Sequence, residues 1–261
     1  MLEPMQNTEG SQFSTKYSDY WRSLTADSAS DTGVPDREVA KLILKSLLEG
    51  FTYKNSRTLD AACGSGRLFP VLRSYSTDVD GLEIESSAAE NAARFGYRNV
   101  YISPIESFQP DIEYGLIMCW AAFEVLQQEK ALHVFSQALA PGGYLILTAK
   151  SSKYPASDSA AVRAEAGAAR KGFIQYFIDT DAFANAAPHF GLEILRTLTF
   201  EKRGDFAKCN YEKFDDGFPS SQFYEFAVIF RRTSSKVTMS AAPAWSSTVS
   251  KTFQEILESR V

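Results

Sequence analysis

The chain has 261 residues, of which 44% are hydrophobic and 23% are charged, and its formal net charge at pH 7 is −5. This length suits one large domain, or one domain with a small addition, and the composition excludes fibrous, collagen-like and wholly disordered chains. A mildly acidic chain also argues against nucleic-acid binding, because nucleic-acid-binding proteins usually carry a basic face.

Three cysteines, Cys63, Cys119 and Cys209, are widely spaced and form no Cys-x-x-Cys pair. This spacing argues against a disulfide framework and a zinc ribbon, so we expect no metal site and a reducing, cytoplasmic environment. The first residues lack the basic and apolar regions of a signal peptide. The longest apolar runs are shorter than the roughly 20 residues that a membrane-spanning helix needs, so we expect no membrane association.

Residues 1–36 predict an N-terminal helical segment. Aromatic and aliphatic residues recur there at the spacing of one helical face, and they include Tyr17, Tyr20 and Trp21. Such a helix would either dock on the domain surface or act as a lid over a pocket. In the second case these three aromatic side chains are candidate substrate contacts.

A second helix is predicted to begin at the capping residue Asp36 and to end at Gly50. Its expected buried stripe consists of Val39, Leu42, Ile43 and Leu47. From residue 58 onward strands and helices alternate, with strands predicted at 58–62, 78–83, 99–103, 114–120 and 144–149 and helices at 67–75, 86–95 and 129–139. This alternation predicts a parallel sheet with right-handed crossovers and helices on both faces.

After residue 150 the pattern loosens into an Ala/Ser-rich insertion over 151–171 and a helix over 179–190. Two more strands, at 192–200 and 223–231, are joined by a polar loop and predict an antiparallel edge hairpin. The predicted fold is therefore α/β, with a doubly wound, mostly parallel seven-stranded sheet of Rossmann-like type. We expect the main domain to cover residues 37–231, followed by a flexible C-terminal tail over 232–261 with a short helix near its end.

The most informative stretch is TLDAACGSGRL at Thr58–Leu68, where a strand runs into a Gly-x-Gly turn. Glycines allow a tight turn and let a ligand approach the main chain. Phe69 stands where a dinucleotide-binding turn has its third glycine, and no Walker pattern is present, so NAD and nucleoside triphosphates are disfavoured. Asp60 precedes the turn, and Glu83 ends the next strand, where a carboxylate suits a ribose diol.

Four consecutive stretches, LDAACGSGR, DGLEIESSAAENA, YGLIMCWAAFEVL and LAPGGYLILTAK, resemble the motifs of class I S-adenosylmethionine-dependent methyltransferases. The first departs from the family at Ala62, where glycine is commoner. The resemblance implies S-adenosylmethionine as cofactor and methyl transfer as the reaction.

The resemblance also implies a set of cofactor contacts. The loop Ala61–Gly66 would lie along the methionine part, with Arg67 on its carboxylate, Glu83 on the ribose and Ile84 against adenine. Pro104 stands where many members have an Asp for the adenine amino group, so Ile105 main-chain groups or Glu106 would replace it. The full set implied at the cofactor is Asp60, Ala61, Cys63, Gly64, Gly66, Arg67, Glu83, Ile84, Ile105, Glu106 and Trp120, the last of these beside the sulfonium.

Methyl transfer does not require a conspicuous catalytic motif, because the cofactor itself supplies the reactivity. Glu124, four residues beyond Trp120, is the carboxylate best placed near the expected methyl group. It could bind a cationic substrate, accept a proton, or serve only as a helix-start carboxylate. Phe123 and Tyr176 are further candidates for the substrate wall.

The favoured function is methyl transfer to a small-molecule acceptor. One alternative is a protein α-N-terminal methyltransferase, because YSDYWRS, GSGR and IESFQP are similar to segments of that family. Against it, Ser151 and Ser152 stand where that family has acidic and amide residues. The other alternative is a non-catalytic protein that binds S-adenosylmethionine, since fold alone does not establish turnover.

Overall fold

The computed structural model describes residues 37–51, 57–233 and 244–259. The predicted N-terminal helix with Tyr17, Tyr20 and Trp21, and the predicted cap Asp36, lie outside these ranges. The described residues form ten strands: β1 (Thr58–Ala61), β2 (Val79–Glu83), β3 (Val100–Ile102), β4 (Tyr114–Cys119), β5 (Leu139–Ser151), β6 (Phe177–Ile178), β7 (Leu192–Phe200), β8 (Glu212–Asp215), β9 (Glu225–Arg232) and β10 (Ser246–Ser247).

The described α-helices are α1 (Arg37–Leu48), α2 (Phe69–Leu72), α3 (Ser86–Ala93), α4 (Gln128–Ala138), α5 (Ser159–Arg170), α6 (Thr180–Ala186), α7 (Asp205–Lys208) and α8 (Lys251–Glu258). The helix predicted over 67–75 is thus reduced to the four residues of α2. In α1 the buried stripe is rotated from the predicted one. Leu42 is 53% exposed, whereas Ala40, Leu44 and Leu48 join the predicted Ile43 and Leu47 against the sheet.

The strands form one sheet in the order β3-β2-β1-β4-β5-β9-β7-β8, with β6 paired to β5 and β10 paired to β6. The strands β1 to β5 pair in parallel, and β9 lies antiparallel between β5 and β7. The predicted doubly wound sheet with an antiparallel edge is confirmed. The sequence missed β6, β8 and β10, because strands of two to four residues are too short to show a recognisable alternation.

Helices cover both faces of the sheet and create two hydrophobic clusters. On one face, α4 and α6 pack against the sheet, with Phe135 and Phe183 fully buried. On the other, α1 and α2 contribute Ile43, Leu47 and Leu72. Strand order reverses between β1 and β4, and in open α/β sheets the ligand site lies beyond the carboxyl ends of the strands at such a switch point.

The end of the chain departs from the predicted flexible tail over residues 244–259. Trp245 is buried against Phe123 and Phe183, with ring centroids 6.2 Å and 4.6 Å apart. Next to it, β10 pairs antiparallel with β6, and α8 follows with Ser250 as its N-cap. Aromatic packing and a short strand pairing therefore help to hold a segment whose Ser/Thr-rich composition predicts flexibility. None of the described helices combines the length and apolar character needed to cross a membrane.

A buried carboxylate ties together the amino ends of four strands. Asp80, near the start of β2, accepts hydrogen bonds from Arg57 at 2.5 Å and 3.1 Å, from Asn99 at 3.0 Å and from the hydroxyl of Tyr114 at 3.1 Å. Asp80 is fully buried and these donors surround its two oxygens. The cluster fixes the end of the sheet that lies opposite the expected ligand site.

Replacing Asp80 by Ala should lower the free energy of unfolding by about 3–5 kcal/mol, because the half-buried Arg57 guanidinium, the Asn99 amide and the Tyr114 hydroxyl would lose their common acceptor. Asp78→Ala is the matched control, since the half-exposed Asp78 pairs with Arg98 at the surface and should contribute less than about 1 kcal/mol. Urea unfolding of both variants measures the difference, and equal losses would contradict the role assigned to Asp80.

Candidate functional site

The turn after β1 is built from residues with positive φ. Ala62, Gly64 and Gly66 have φ values of 61°, 54° and 83°. A Cβ on Gly66 would lie 2.9 Å from the Phe95 ring and 3.1 Å from the Ala92 Cα, so packing requires glycine there. A Cβ on Gly64 would meet nothing within 4 Å, which leaves open space on the ligand side of the turn.

The left-handed conformation of Ala62 explains why glycine is commoner at this position in the family that the sequence resembles. An L-residue with a Cβ is strained in this region by roughly 1 kcal/mol relative to glycine. Because α2 begins only at Phe69, the backbone of this turn, rather than a helix N-terminus, faces the site.

Glu83 connects the turn to the end of β2. Its Oε2 accepts a hydrogen bond from the Gly64 N–H at 2.8 Å, and its Oε1 accepts from Ile84 and Glu85 at 2.9 Å and 3.0 Å. A carboxylate offers about four acceptor positions, so these three donors leave capacity for a ribose hydroxyl. The geometry therefore fits a ribose at this point.

A buried pair lies beneath the turn. The Tyr97 hydroxyl donates to Asp60 Oδ2 at 2.6 Å, and both residues are buried. Burial raises the pKa of Asp60 to about 7, although the Tyr97 hydrogen bond opposes the shift, and nearby Glu83 adds to it. Asp60 therefore supports the turn from below. Tyr97 was missed by the sequence analysis, because it lies 37 residues away and only the fold brings it to Asp60.

Cys63 is a packing residue within the turn. Its side chain is buried, and a Cβ added at Gly81 would lie 2.9 Å from its Sγ. Burial, and next the charges of Asp60 and Glu83, raise the pKa of the thiol well above its usual range. Cys63 therefore stays a neutral thiol and is no nucleophile. Ala61 is also buried, so a ligand could reach only its main chain.

The residues predicted to contact adenine differ in whether their side chains are open to a ligand. Ile84 is 41% exposed, and Ile102, which the sequence analysis missed, is 58% exposed at the end of β3. Ile105, in contrast, has a buried side chain, and Glu106 Oε1 accepts a hydrogen bond from the Gln127 N–H at 2.9 Å. Glu106 thus braces the start of α4, which weakens its assignment to adenine.

Arg67 lies near Asp60, where its charge acts to lower the pKa of that carboxyl group. Its carbonyl oxygen accepts a hydrogen bond from Arg37 Nε at 2.8 Å, which ties the turn to the first turn of α1. The half-buried guanidinium of Arg67 remains a candidate for the cofactor carboxylate.

At the end of β4, two predicted aromatic contacts are part of the core. Trp120 is buried and packs on Phe206, with ring centroids 5.3 Å apart. Phe123 is fully buried between Phe183 and Trp245, so the structure does not support it as a substrate contact. The sequence could not reveal this, because the tryptophan that covers Phe123 comes from the end of the chain.

Glu124 and Tyr176, both predicted for the acceptor side, do come together. The Tyr176 N–H donates to the Glu124 carbonyl oxygen at 2.6 Å. The Glu124 carboxylate oxygen Oε2 has no contact with solvent and no hydrogen-bond partner. Burial raises the pKa of Glu124, and the positive charge of Lys150 offsets only part of that shift.

A buried polar cluster that the sequence analysis missed surrounds Lys150 at the end of β5. Lys150 Nζ donates to Glu165 Oε1 at 2.9 Å and to Gln175 Oε1 at 2.6 Å. Glu225 lies opposite Lys150 in the β5–β9 register, and burial raises its pKa to about 7. Among the described residues, no group of three or more His, Cys, Asp or Glu side chains could hold a metal ion.

Comparison with known proteins identifies the family. A sequence model of the methyltransferase domain matches residues 34–197 of the chain. The chain belongs to the methyltransferase domain family. The resemblance to class I S-adenosylmethionine-dependent methyltransferases is thereby confirmed, and S-adenosylmethionine is the cofactor of this methyltransferase.

Solved structures show the same fold at low sequence identity. An S-adenosylmethionine-dependent methyltransferase from Thermotoga maritima, described as a possible histamine N-methyltransferase, has a TM-score of 0.56 and 19% identity over 75% of this chain and 90% of that one. A methyltransferase from Leishmania major has a TM-score of 0.55 and 18% identity over 84% of this chain and 82% of that one. A methyltransferase from Mesorhizobium loti has a TM-score of 0.56 and 17% identity over 74% of this chain and 98% of that one. No curated protein matches the chain significantly.

Gly64→Ala should weaken binding of S-adenosylhomocysteine at least tenfold while lowering the unfolding free energy by only about 1 kcal/mol, since the new methyl enters open space at a positive φ. Gly142→Ala is the matched control, because Gly142 also has a positive φ (75°) and an open Cβ position, but lies at the turn before the main part of β5. It should lose similar stability and keep its affinity. Calorimetric titration and urea unfolding separate the two effects, and equal affinities would contradict the placement of the site.

The Asp60–Tyr97 pair predicts a pH-dependent stability. The folded-state pKa of Asp60, about 7, lies above the ordinary value of 3.8 for an Asp carboxyl, so the stabilisation due to its protonation is complete below about pH 4 and is lost as the pH rises through 7. Asp60→Asn should remove this loss, and its stability relative to wild type should rise by up to about 4 kcal/mol between pH 4 and 8. Urea unfolding across this range measures the difference.

Tyr97→Phe provides the control for the pH experiment. The hydrogen bond from the Tyr97 hydroxyl opposes the rise of the Asp60 pKa, so removing the hydroxyl should raise this pKa further. The loss of stability with rising pH should then extend to a higher pH than in wild type. A stability difference between wild type and Asp60→Asn that stays flat with pH would show that Asp60 is not the titrating group.

Proposed function

We propose that this methyltransferase transfers a methyl group from S-adenosylmethionine to a small-molecule acceptor. The proposal is supported by the cover over the carboxyl ends of β4 and β5. Residues 152–178, which contain the predicted Ala/Ser-rich stretch and β6 and are called the insertion from here on, pack there against the returning segment 244–259. Tyr154, from the insertion, is fully buried, and its main chain exchanges hydrogen bonds of 2.9 Å and 2.8 Å with the Thr252 hydroxyl.

This cover restricts the kind of acceptor. Ser151 and Ser152 are buried beneath it, and the Thr252 N–H donates to the Ser152 carbonyl oxygen at 3.3 Å. A macromolecular substrate needs an open groove beside the reacting atom, whereas a small molecule needs only a concave pocket. A covered strand end therefore favours a small acceptor.

The residues around the turn after β1 would hold the cofactor. Gly64 would let it approach the main chain, Glu83 would accept from the ribose hydroxyls, and Ile84 would pack on adenine. Arg67 would pair with the cofactor carboxylate, as the charge and position of its guanidinium permit. When bound, the cofactor supplies an electrophilic methyl group on a cationic sulfur.

The main task of the protein is then orientation. Holding a nucleophile in line with the methyl group can contribute roughly 7–11 kcal/mol to lowering the barrier. The tight packing of Trp120 and Phe123 behind the end of β4 makes that part of the wall rigid. Glu124 is the ionisable side chain that would face the acceptor.

The experiment is a labelled-methyl transfer screen against small metabolites and against peptides with free N-termini, combined with calorimetric titration of S-adenosylhomocysteine. We expect transfer to small molecules, and at least tenfold weaker binding of S-adenosylhomocysteine to Glu83→Ala because the ribose acceptor is lost. Glu129→Gln, at an exposed position on α4, is the control and should bind normally.

Two outcomes would contradict the proposal. Transfer confined to peptides would identify the protein α-N-terminal activity instead. Tight binding of the cofactor without transfer to any acceptor would identify a non-catalytic binding protein.

A further inference from the structure

Two buried acceptor atoms beside the end of β4 lack hydrogen-bond partners. They are Glu124 Oε2 and Gln128 Oε1. Gln128 is only 2% exposed, and its Nε2 donates to the carbonyl oxygens of Phe123 at 3.1 Å and Tyr176 at 3.4 Å. Because two carbonyl oxygens hold the amide nitrogen, the orientation of the amide is fixed and its oxygen is the open acceptor.

The two acceptors belong to one local structure. Glu124 lies in the single 3-10 turn Phe123–Val125, and its carbonyl oxygen accepts from the Tyr176 N–H at 2.6 Å. The side-chain amide of Gln128 donates to the carbonyl oxygen of Phe123, which precedes Glu124, and to that of Tyr176. An unsatisfied buried acceptor normally costs free energy, so two of them, one on the 3-10 turn and one at the first residue of α4, point to a ligand that brings donors.

The charged side chains around the two acceptors indicate what kind of donor group the ligand carries. Three carboxylates, Glu124, Glu165 and Glu225, face two cations, Lys150 and Arg203, in this region. Lys150 is already held by Glu165 and Gln175, and Arg203 donates to the Tyr224 hydroxyl at 3.2 Å. Neither cation donates a hydrogen bond to the Glu124 carboxylate oxygen Oε2, which is buried and has no hydrogen-bond partner. A ligand that carries N–H donors and a positive charge satisfies both conditions.

We propose that the acceptor is an amine, bound as its ammonium ion by Glu124 Oε2 and Gln128 Oε1, and that Glu124 takes the proton which the nitrogen must lose before methylation. This inference rests on the proposed function, since it assigns the substrate class of the same site.

The chemical step balances without a further reactant. The ammonium transfers one proton to the Glu124 carboxylate, which leaves a neutral amine with a free lone pair. That lone pair forms the new C–N bond with the methyl carbon, the C–S bond breaks, and its electron pair remains on sulfur. The methylated ammonium leaves, and Glu124 releases its proton to solvent. The raised pKa of Glu124 brings it closer to that of an amine and so favours the transfer.

Matched pairs of amines and alcohols test the substrate class. With S-adenosylhomocysteine present, calorimetry would compare 2-phenylethylamine with 2-phenylethanol and 1,4-diaminobutane with 1,4-butanediol. We expect wild type to bind at least one amine at least tenfold more tightly than its alcohol. Glu124→Gln should abolish this preference, whereas Glu129→Gln, which changes an exposed carboxylate on the neighbouring helix α4, should keep it. Absence of a preference in both pairs, or its survival in Glu124→Gln, overturns the inference.

Stability provides an independent readout. If Glu124 serves a substrate, Glu124→Gln removes a buried carboxylate without a partner and should keep or raise the thermal midpoint of the ligand-free protein. A lowered midpoint together with an unchanged amine preference would make Glu124 a structural residue and would also overturn the inference.

Comparing the cofactor with its product separates this inference from the proposed function. Failure of wild type to bind S-adenosylhomocysteine would contradict the proposed function itself. Normal binding of the product, with transfer to alcohols and no amine preference, would contradict only the amine. Selective loss of S-adenosylmethionine affinity in Glu124→Gln would assign the carboxylate to the sulfonium instead and overturn the inference.

Discussion

The hydrogen bond from the Gly64 N–H to Glu83 holds the carboxyl ends of β1 and β2 in one arrangement. The chain can make this turn only through three residues with positive φ, and an alanine occupies one of these positions at some cost in strain. Because the turn has little regular structure of its own, its shape depends on contacts from outside. Glu83 holds it from the side, Gly66 packs under Phe95 and Tyr97, and Asp60 supports it from below.

The polar clusters at the two ends of the sheet differ in how completely their hydrogen bonds are satisfied. At the amino ends, Asp80 has four donated hydrogen bonds and its partners come from the starts of neighbouring strands. At the carboxyl ends, Glu124 and Gln128 each keep a buried oxygen without a partner. A satisfied network stabilises the fold, whereas an unsatisfied buried group calls for a partner such as a ligand or a water molecule. This contrast supports the proposed place of the acceptor at the carboxyl edge.

The side that we propose for the acceptor is built from three distant parts of the chain. The end of β5 supplies Lys150, the insertion supplies Glu165 and Gln175, and the start of β9 supplies Glu225. The returning segment closes over them, anchored by Trp245 against Phe123. The residues that we propose for the cofactor, in contrast, come from one continuous stretch between β1 and the turn after β3. A methyltransferase of this kind can therefore vary its acceptor without disturbing its cofactor loop.

The sequence by itself determined the seven main strands, the glycine turn, Asp60 and Glu83, because strand alternation and turn chemistry are local properties that survive without tertiary contacts. The sequence also identified Glu124 and Tyr176 as candidate site residues, although only the hydrogen bond between their main chains shows that they are in contact. The tertiary structure alone decided that Phe123 is core, that Tyr97 supports Asp60, and that Lys150 lies among three carboxylates. These outcomes depend on which side chains face each other across strands paired in register, and the partners lie between 15 and more than 100 residues apart along the chain. Periodicity reports which face of an element is buried, but it carries no information about the distant residue that covers it.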